Sequence, residues 1–142
     1  MWISARNQLK GTVSHITDGM ANGIVTIDLG TASVKADITM DAIDALDLHD
    51  GMTAFAVIKA SNVMFAAGSE PIKNLSARNQ LPGTIVAVIK GAVNGHVSIE
   101  LDDGNVIMGS ITNEAIEELG LTEGGKAVAI VKSTDVMVGT EE

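Results

Sequence analysis

The chain contains no cysteine. That excludes disulfides and thiolate chemistry, and it leaves histidine and carboxylates as the strong ligand types for a metal cation. The three histidines, His15, His49 and His96, have no metal-like spacing, so no cation site is expected. Aromatic side chains are nearly missing: Trp2, Phe55 and Phe65 are all there are. Modules that bind single-stranded nucleic acid need basic grooves and stacking aromatics. Three aromatics and a net charge of −9 argue against such a partner. No apolar run is long enough to cross a bilayer. Structured, repeated sequence begins within a few residues of Met1, so no signal peptide is expected. Together these absences point to a cytoplasmic protein without a membrane partner. With 46% hydrophobic and 19% charged residues in 142, the composition is that of a globular chain.

Arginine is the scarcest charge, and its placement is the most informative feature. Arg6 and Arg78 are the only two, and each lies at the centre of the same hexapeptide, Ser4–Leu9 and Ser76–Leu81. The offset is 76 − 4 = 72 residues. A planar, always-charged donor fork suits an oxyanion gripped through two oxygens. The repeat continues. Gly11-Thr12 returns as Gly83-Thr84, Asn22-Gly23 as Asn94-Gly95, and Val25–Leu29 as Val97–Leu101. One residue is then gained, assigned from the sequence to the neighbourhood of Lys35–Asp37. With the new offset Ile38-Thr39 matches Ile111-Thr112, Ala56–Lys59 matches Ala129–Lys132, and Val63-Met64 matches Val136-Met137. The expected organisation is two homologous domains, 1–66 and 74–140, joined by a linker at 67–73 that holds Gly68, Ser69 and Pro71. Units of this size with so few rings are marginal alone, so they are expected to bury surface against each other and against other chains.

Within one unit, Thr12–Ile16 alternates polar and apolar as a half-buried strand does. Ile24–Leu29 and Val34–Ile38 read as further strands. Asn22-Gly23 and Asn94-Gly95 read as hairpin turns. Thr39 and Thr112 stand as N-caps before short helices, Met40–Leu46 and Asn113–Leu119, each with an acid in its first turn. Gly51 or Gly120 is expected to close the helical section. Strands near Ala54–Ala60 and Val63–Ala66 complete the order β-β-β-α-β-β. The fold class is all-β with short helices: two tandem, OB-like, five-stranded barrels, each expected to close.

Ser-Ala-Arg-Asn near the start of each unit, Ile-Thr before each short helix, and Lys59-Ala60-Ser61-Asn62-Val63 with its counterpart Lys132-Ser133-Thr134-Asp135-Val136 resemble the molbindin (Mop, or TOBE-type) domain. The resemblance covers nearly the whole chain in two copies. It implies binding of molybdate or tungstate in the cytoplasm, three-fold assembly as a homotrimer, and oxyanion sites at contacts between domains. The donor set it implies is Ser4, Ala5, Arg6, Thr39, Lys59, Ala60 and Ser61 in the first unit. In the second it is Ser76, Ala77, Arg78, Thr112, Lys132, Ser133 and Thr134. Asn22 and Asn94 are candidates for a second type of site. Thr39 and Thr112 double as caps, where orphan helix N–H groups already favour anions. The metal would be bound only as its oxyanion, and no cofactor is implied.

Gly120–Lys126 approaches the spelling of a phosphate-binding loop, but it follows a helix and opens a strand, the reverse of what that loop requires. The repeated set contains donors and no general base, so no enzyme activity is expected. The favoured role is storage, buffering or homeostasis of the oxyanion. The alternative is a regulatory domain that senses it and acts through a partner protein. Sensors of that kind carry an ATPase or DNA-binding part, for which 142 residues leave no room.

Overall fold

The computed structural model describes residues 1–141. The first unit runs β1 (Asn7–Thr17), β2 (Asn22–Asp28), β3 (Ser33–Thr39), α1 (Met40–Ala45), β4 (Thr53–Ile58) and β5 (Met64–Ala67). The second runs β6 (Asn79–Lys90), β7 (Asn94–Glu100), β8 (Val106–Thr112), α2 (Asn113–Glu118), β9 (Lys126–Val131) and β10 (Met137–Gly139). A one-turn 3-10 segment precedes each last strand, at Ala60–Asn62 and Ser133–Asp135. The order matches the sequence pattern. Thr39 and Thr112 cap their helices, each hydroxyl accepting from the N–H three residues on at 3.1 Å.

The sheets do not follow the sequence units. One has the order β10-β4-β1-β2-β3 and the other β5-β9-β6-β7-β8. The last strand of each unit therefore completes the other unit's sheet: Met137 lies opposite Val57, and Met64 opposite Ile130. The expected closed barrel is not closed by strand pairing. β3 and β8 remain ladder edges. The exchange makes one continuous core. Val63 and Phe65 from the first unit bury with Ile107 and Leu121 of the second. Each small unit is thus completed by residues it does not itself encode, which answers its marginal size.

Three local expectations are corrected. The extra residue of the second unit does not lie near Lys35–Asp37. Asp28 pairs with Ser33, whereas Glu100 pairs with Val106. The insertion is thus in the β7–β8 turn, because an extra residue inside a strand would flip its faces. Asn22-Gly23 and Asn94-Gly95 open β2 and β7 rather than forming turns. Their glycines serve packing: a Cβ at Gly23 would stand 2.6 Å from Ile43 Cδ1, and one at Gly95 2.7 Å from Ile116 Cδ1. Finally, the left-handed residue directly after the C-cap of α1 is Asp47 (φ 51°), with Gly51 (φ 90°) four residues further on, while Gly120 (φ 63°) holds the first place after α2.

Candidate functional site

The strand register sets much of the expected donor set at one end of each sheet. Asn7 lies opposite Ile58 in β1–β4, and Met137 opposite Val57 in β4–β10. Arg6 immediately precedes β1 and Lys59 immediately follows β4, so both flank the end of the ladder that the Asn7–Ile58 pair closes; Ser4 and Ala5 lie just before it, and Ala60 and Ser61 lie in the 3-10 turn just after it. The second unit repeats this. Asn79 lies opposite Val131, so Arg78 and Lys132 flank the same end of the β6–β9 ladder, with Ser76 and Ala77 just before it and Ser133 and Thr134 in the 3-10 turn just after it. Strand alternation explains the orientation. Asn7, Ile58 and Val136 form a buried row, as do Asn79, Val131 and Val63. The arginine and lysine one position on are exposed in both units.

Neither arginine forms an ion pair among the described residues, where the salt bridges are Lys10–Glu141 at 3.2 Å and Lys90–Glu117 at 3.0 Å. In a chain of net charge −9, two unpaired forks beside two lysines are local positive patches in a negative field. No group of three or more His, Asp or Glu residues able to hold a cation exists among the described residues. A cleft of about 560 Å³ is lined by Met1, Trp2, Ile3, Phe55, Thr140 and Glu141, none of them among the predicted donors.

Thr39 and Thr112 are not brought to these rows within one chain. Thr39 ends β3 opposite Asn22, and Thr112 ends β8 opposite Asn94. β1 runs antiparallel to both β2 and β4, so Arg6 and Lys59 lie at one end of the sheet and Asn22 and Thr39 at the other. Asn22 Nδ2 donates to Asp37 Oδ1 at 3.1 Å. The second unit differs here. Asn113 replaces Met40 in the aligned position, donates to the Gly91 carbonyl at 2.8 Å, and leaves its Oδ1 buried without a partner.

The residue sequence reasoning missed is the asparagine after each arginine. Asn7 and Asn79 are 3% and 2% exposed, and with Thr26 they are the buried polar residues among those described. Asn79 Oδ1 accepts from Lys35 N, and its Nδ2 donates to Lys35 O, both at 2.8 Å. Asn7 Oδ1 accepts from Met108 N and its Nδ2 donates to Met108 O, again both at 2.8 Å, with a further bond to Ile58 O at 3.2 Å. Lys35 is in β3 and Met108 in β8, the open ladder edges. Each amide thus stands in for one residue of a missing strand and ties the arginine segment of one unit to the edge of the other. The signal was present as an asparagine repeated with the offset of the arginines, in a stretch otherwise reading as strand.

Two five-stranded OB-like units, joined by exchanged strands and each ending in an Arg–Lys row, define a duplicated small-barrel module. The chain belongs to the TOBE-domain family, whose model matches residues 3–65 and again 75–138. It is 38% identical over 143 aligned residues to the molybdenum transport protein ModE of Herbaspirillum seropedicae, covering 100% of this chain and 53% of that one. It is 37% identical over 139 residues to the molybdenum-pterin-binding protein MopA of Rhodobacter capsulatus, covering 97% and 52%. The chain therefore spans about half the length of these relatives. One unit suffices to match molybdenum-pterin-binding protein 2 of Clostridium pasteurianum, 48% identical over 65 residues, 46% of this chain and 96% of that one. Among solved structures, the cytoplasmic molybdate-binding protein ModG with molybdate bound is similar over the full length. The TM-score is 0.93 at 40% identity, covering 99% of this chain and 100% of that one.

Proposed function

We propose that this chain binds molybdate or tungstate in the cytoplasm, as a store or buffer, and catalyses no reaction on them. The observation that carries the reading is the doubled placement of Arg6 with Lys59 and Arg78 with Lys132 at matching ladder ends, exposed and without ion-pair partners among the described residues, each flanked in sequence by hydroxyl-bearing and small residues. A tetrahedral dianion that carries no proton near neutral pH asks for donors alone. Charge-assisted hydrogen bonds contribute roughly 1.5–3 kcal/mol each, and five or six of them support binding at about micromolar or tighter after ordering costs. Similarity to ModG over the full length supports the same ligand. Thr39, Thr112, Asn22 and Asn94 lie at the far ends of the sheets, so a ligand set that includes them needs a second copy of the chain. A homotrimer, with the 1–66 and 74–140 units alternating around its axis, supplies such contacts.

Titration calorimetry tests this. Molybdate and tungstate should give heat, while phosphate, partly protonated at neutral pH and wanting an acceptor, should give none. Arg6→Ala should lower the number of oxyanions bound and leave the remaining sites near their original affinity. It should move the apo melting temperature little but shrink the stabilisation gained on adding ligand. Absence of heat with both metal oxyanions, at protein concentrations well above micromolar, overturns the reading. Light scattering should return the mass of three chains, and a monomer at all concentrations overturns the trimer. A second reading, an oxyanion-sensing module acting through a partner, is favoured by one fact: ModE is about twice as long as this chain. Its distinguishing result is association with a second protein that appears only when molybdate is present.

A further inference from the structure

The two copies of the hexapeptide are identical in sequence but not in how they are held. Arg6 and Arg78 each stand just outside a strand, exposed, with the latching asparagine next in the chain. The residue after that asparagine is Gln8 in one copy and Gln80 in the other. Gln80 Oε1 accepts from Ile72 N at 2.6 Å, and its Nε2 donates to Ile72 O at 2.9 Å. This two-point clamp closes a loop whose ends are eight residues apart, and Ser76, Ala77 and Arg78 lie inside it. Ile72 belongs to the linker, so the segment that joins the units is fastened to the strand that follows the second arginine. Gln8 makes no such clamp among the described residues. Its Nε2 donates to Ala5 O at 3.4 Å, a bond that Gln80 matches to Ala77 O at 3.4 Å. Ala5 is buried where Ala77 is half-buried. Burial of one methyl group is non-directional, and it orients the neighbouring arginine less than an amide bonded at both ends.

We infer that Gln80 is a positioning residue for the oxyanion site that uses Arg78. Its clamp on the linker preorganises Ser76–Arg78, whereas the segment that carries Arg6 orders itself as it binds. This rests on the oxyanion reading proposed above and adds to it the residue that makes the two halves unequal. A segment already held in its bound form loses less conformational entropy when the ligand arrives. Without the clamp, apparent affinity falls in proportion to the fraction of chains whose segment is in place. Two partly exposed hydrogen bonds shift that fraction by about three- to tenfold. Both polar atoms of the Gln80 amide are engaged by Ile72, so its effect on the anion runs through Arg78. Gln8, in the identical hexapeptide, is the built-in control.

The test is calorimetry with sodium molybdate on the full chain, comparing wild type with Gln80→Met and Gln8→Met. Methionine keeps the length of glutamine and removes its hydrogen bonds. Gln80→Met should weaken the sites that use Arg78 by about three- to tenfold without changing the number of oxyanions bound. Gln8→Met should leave affinity near that of wild type. In an Arg78→Ala background Gln80→Met should have no further effect on binding, and in an Arg6→Ala background it should keep its full effect. Hydrogen exchange adds a readout that a merely structural role would not give. Gln80→Met should speed exchange of the Ile72, Ala77 and Arg78 amides in the apo chain, and molybdate should slow Ala77 and Arg78 again. Ile72 is exposed, so apo melting should move little; should Gln80→Met misfold, Gln80→Ala decides in its place. Wild-type affinity in the folded variant, or an equal loss in the Arg78→Ala background, overturns the inference and leaves the oxyanion reading intact. A wild-type chain that binds neither molybdate nor tungstate overturns that reading itself, and this inference with it.

Discussion

The two halves share their element order, caps and Arg–Lys rows, yet they solve three packing problems differently. Where β5 enters the second sheet, Phe65 presses its ring against Gly109. At Gly109 a Cβ would stand 2.8 Å from Phe65 Cζ and 3.1 Å from Val63 Cβ. The aligned pair in the first sheet is Val138 with Ala36, Ala36 buried in the core and Val138 packed against it. One half balances a large residue with none, the other two of middle size. After the helices, the first half bends through Asp47 and the second through Gly120. At the turn between the second and third strands of each unit, the second half has one residue more and uses it. Asp103 there accepts from Asn105 N at 3.0 Å and Asn105 Nδ2 at 2.8 Å, and reaches across to Ala32 N at 3.3 Å. Duplication supplies two equal halves. Exchange of strands then lets each drift only where the other can compensate, because most of their core is shared.

The strongest test of that interdependence is the asparagine latch. Asn7→Leu removes one acceptor and one donor, and leaves Met108 N and O, at the edge of the other unit, without partners. Unsatisfied buried groups cost about 1–3 kcal/mol each, so the expected loss is about 2–4 kcal/mol by urea denaturation. Asn79→Leu should cost slightly less, since Asn79 lacks the third bond that Asn7 makes to Ile58. Both variants should still unfold in one transition. Two separate transitions in the wild-type chain would break the comparison, because they would show halves that stand alone.

The latch and the exchange mark where sequence reading stopped. Caps, strand alternation and the doubled motifs are local, so Thr39, Thr112 and the Arg–Lys repeat were legible from residue order alone. Which sheet receives Met64–Ala67 is not a local property. Its residues present the same alternation whether β5 folds back on β4 or passes on to β9. Asn7 and Asn79 drew no notice because the arginine beside each offers an obvious chemistry, while a buried amide has meaning only once its distant edge strand is known. The candidate site was legible in its Arg–Lys repeat and not in the distribution of its residues, since only the register shows Thr39 and Asn22 at the opposite end of the sheet.

The Phe65–Gly109 difference can be exchanged between halves. Gly109→Ala alone drives a methyl group into the Phe65 ring, and overpacking of this kind costs about 1–3 kcal/mol. Phe65→Val alone leaves a cavity of comparable cost. The double variant recreates the first half's combination and should recover a good part of the summed loss. Full additivity of the two single effects would mean that the residues do not compensate each other.

Asp47 is the first half's weak point by the same comparison. A non-glycine residue in the left-handed region pays roughly 1–2 kcal/mol in backbone strain, less for aspartate than for most. Its counterpart Gly120 carries none of it. Asp47→Gly should therefore raise stability by about 0.5–1 kcal/mol net of the extra freedom glycine gains in the unfolded chain. Gly120→Asp should lower it by a similar amount. Equal and opposite shifts in the thermal midpoint would confirm that the two turns are interchangeable. A loss in Asp47→Gly would assign the aspartate side chain a role that its backbone angle does not reveal.

The smallest expected effect concerns Asp103, which lies in the longer turn. Burial acts to raise its carboxyl, but the side-chain and backbone donors of Asn105, with Ala32 and Thr31, outweigh this and hold it below the ordinary aspartate value of 3.8. A carboxylate with a depressed folded value binds protons more readily when unfolded. It therefore contributes stability that is fully present above about pH 4 and is lost as pH falls through the folded value. The first half has no equivalent: in its shorter turn Asp28 Oδ1 accepts only locally, from Gly30 N at 2.9 Å. Asp103→Asn should accordingly be less stable than the wild-type chain near neutral pH, and the gap should close as pH falls below about 4. Because the group is partly open to water, the gap should be small and should also narrow with added salt. Urea midpoints measured across that range would decide it. A gap that stays constant with pH would mean that the turn depends on the shape of Asp103 and not its charge, and that the added residue contributes only length.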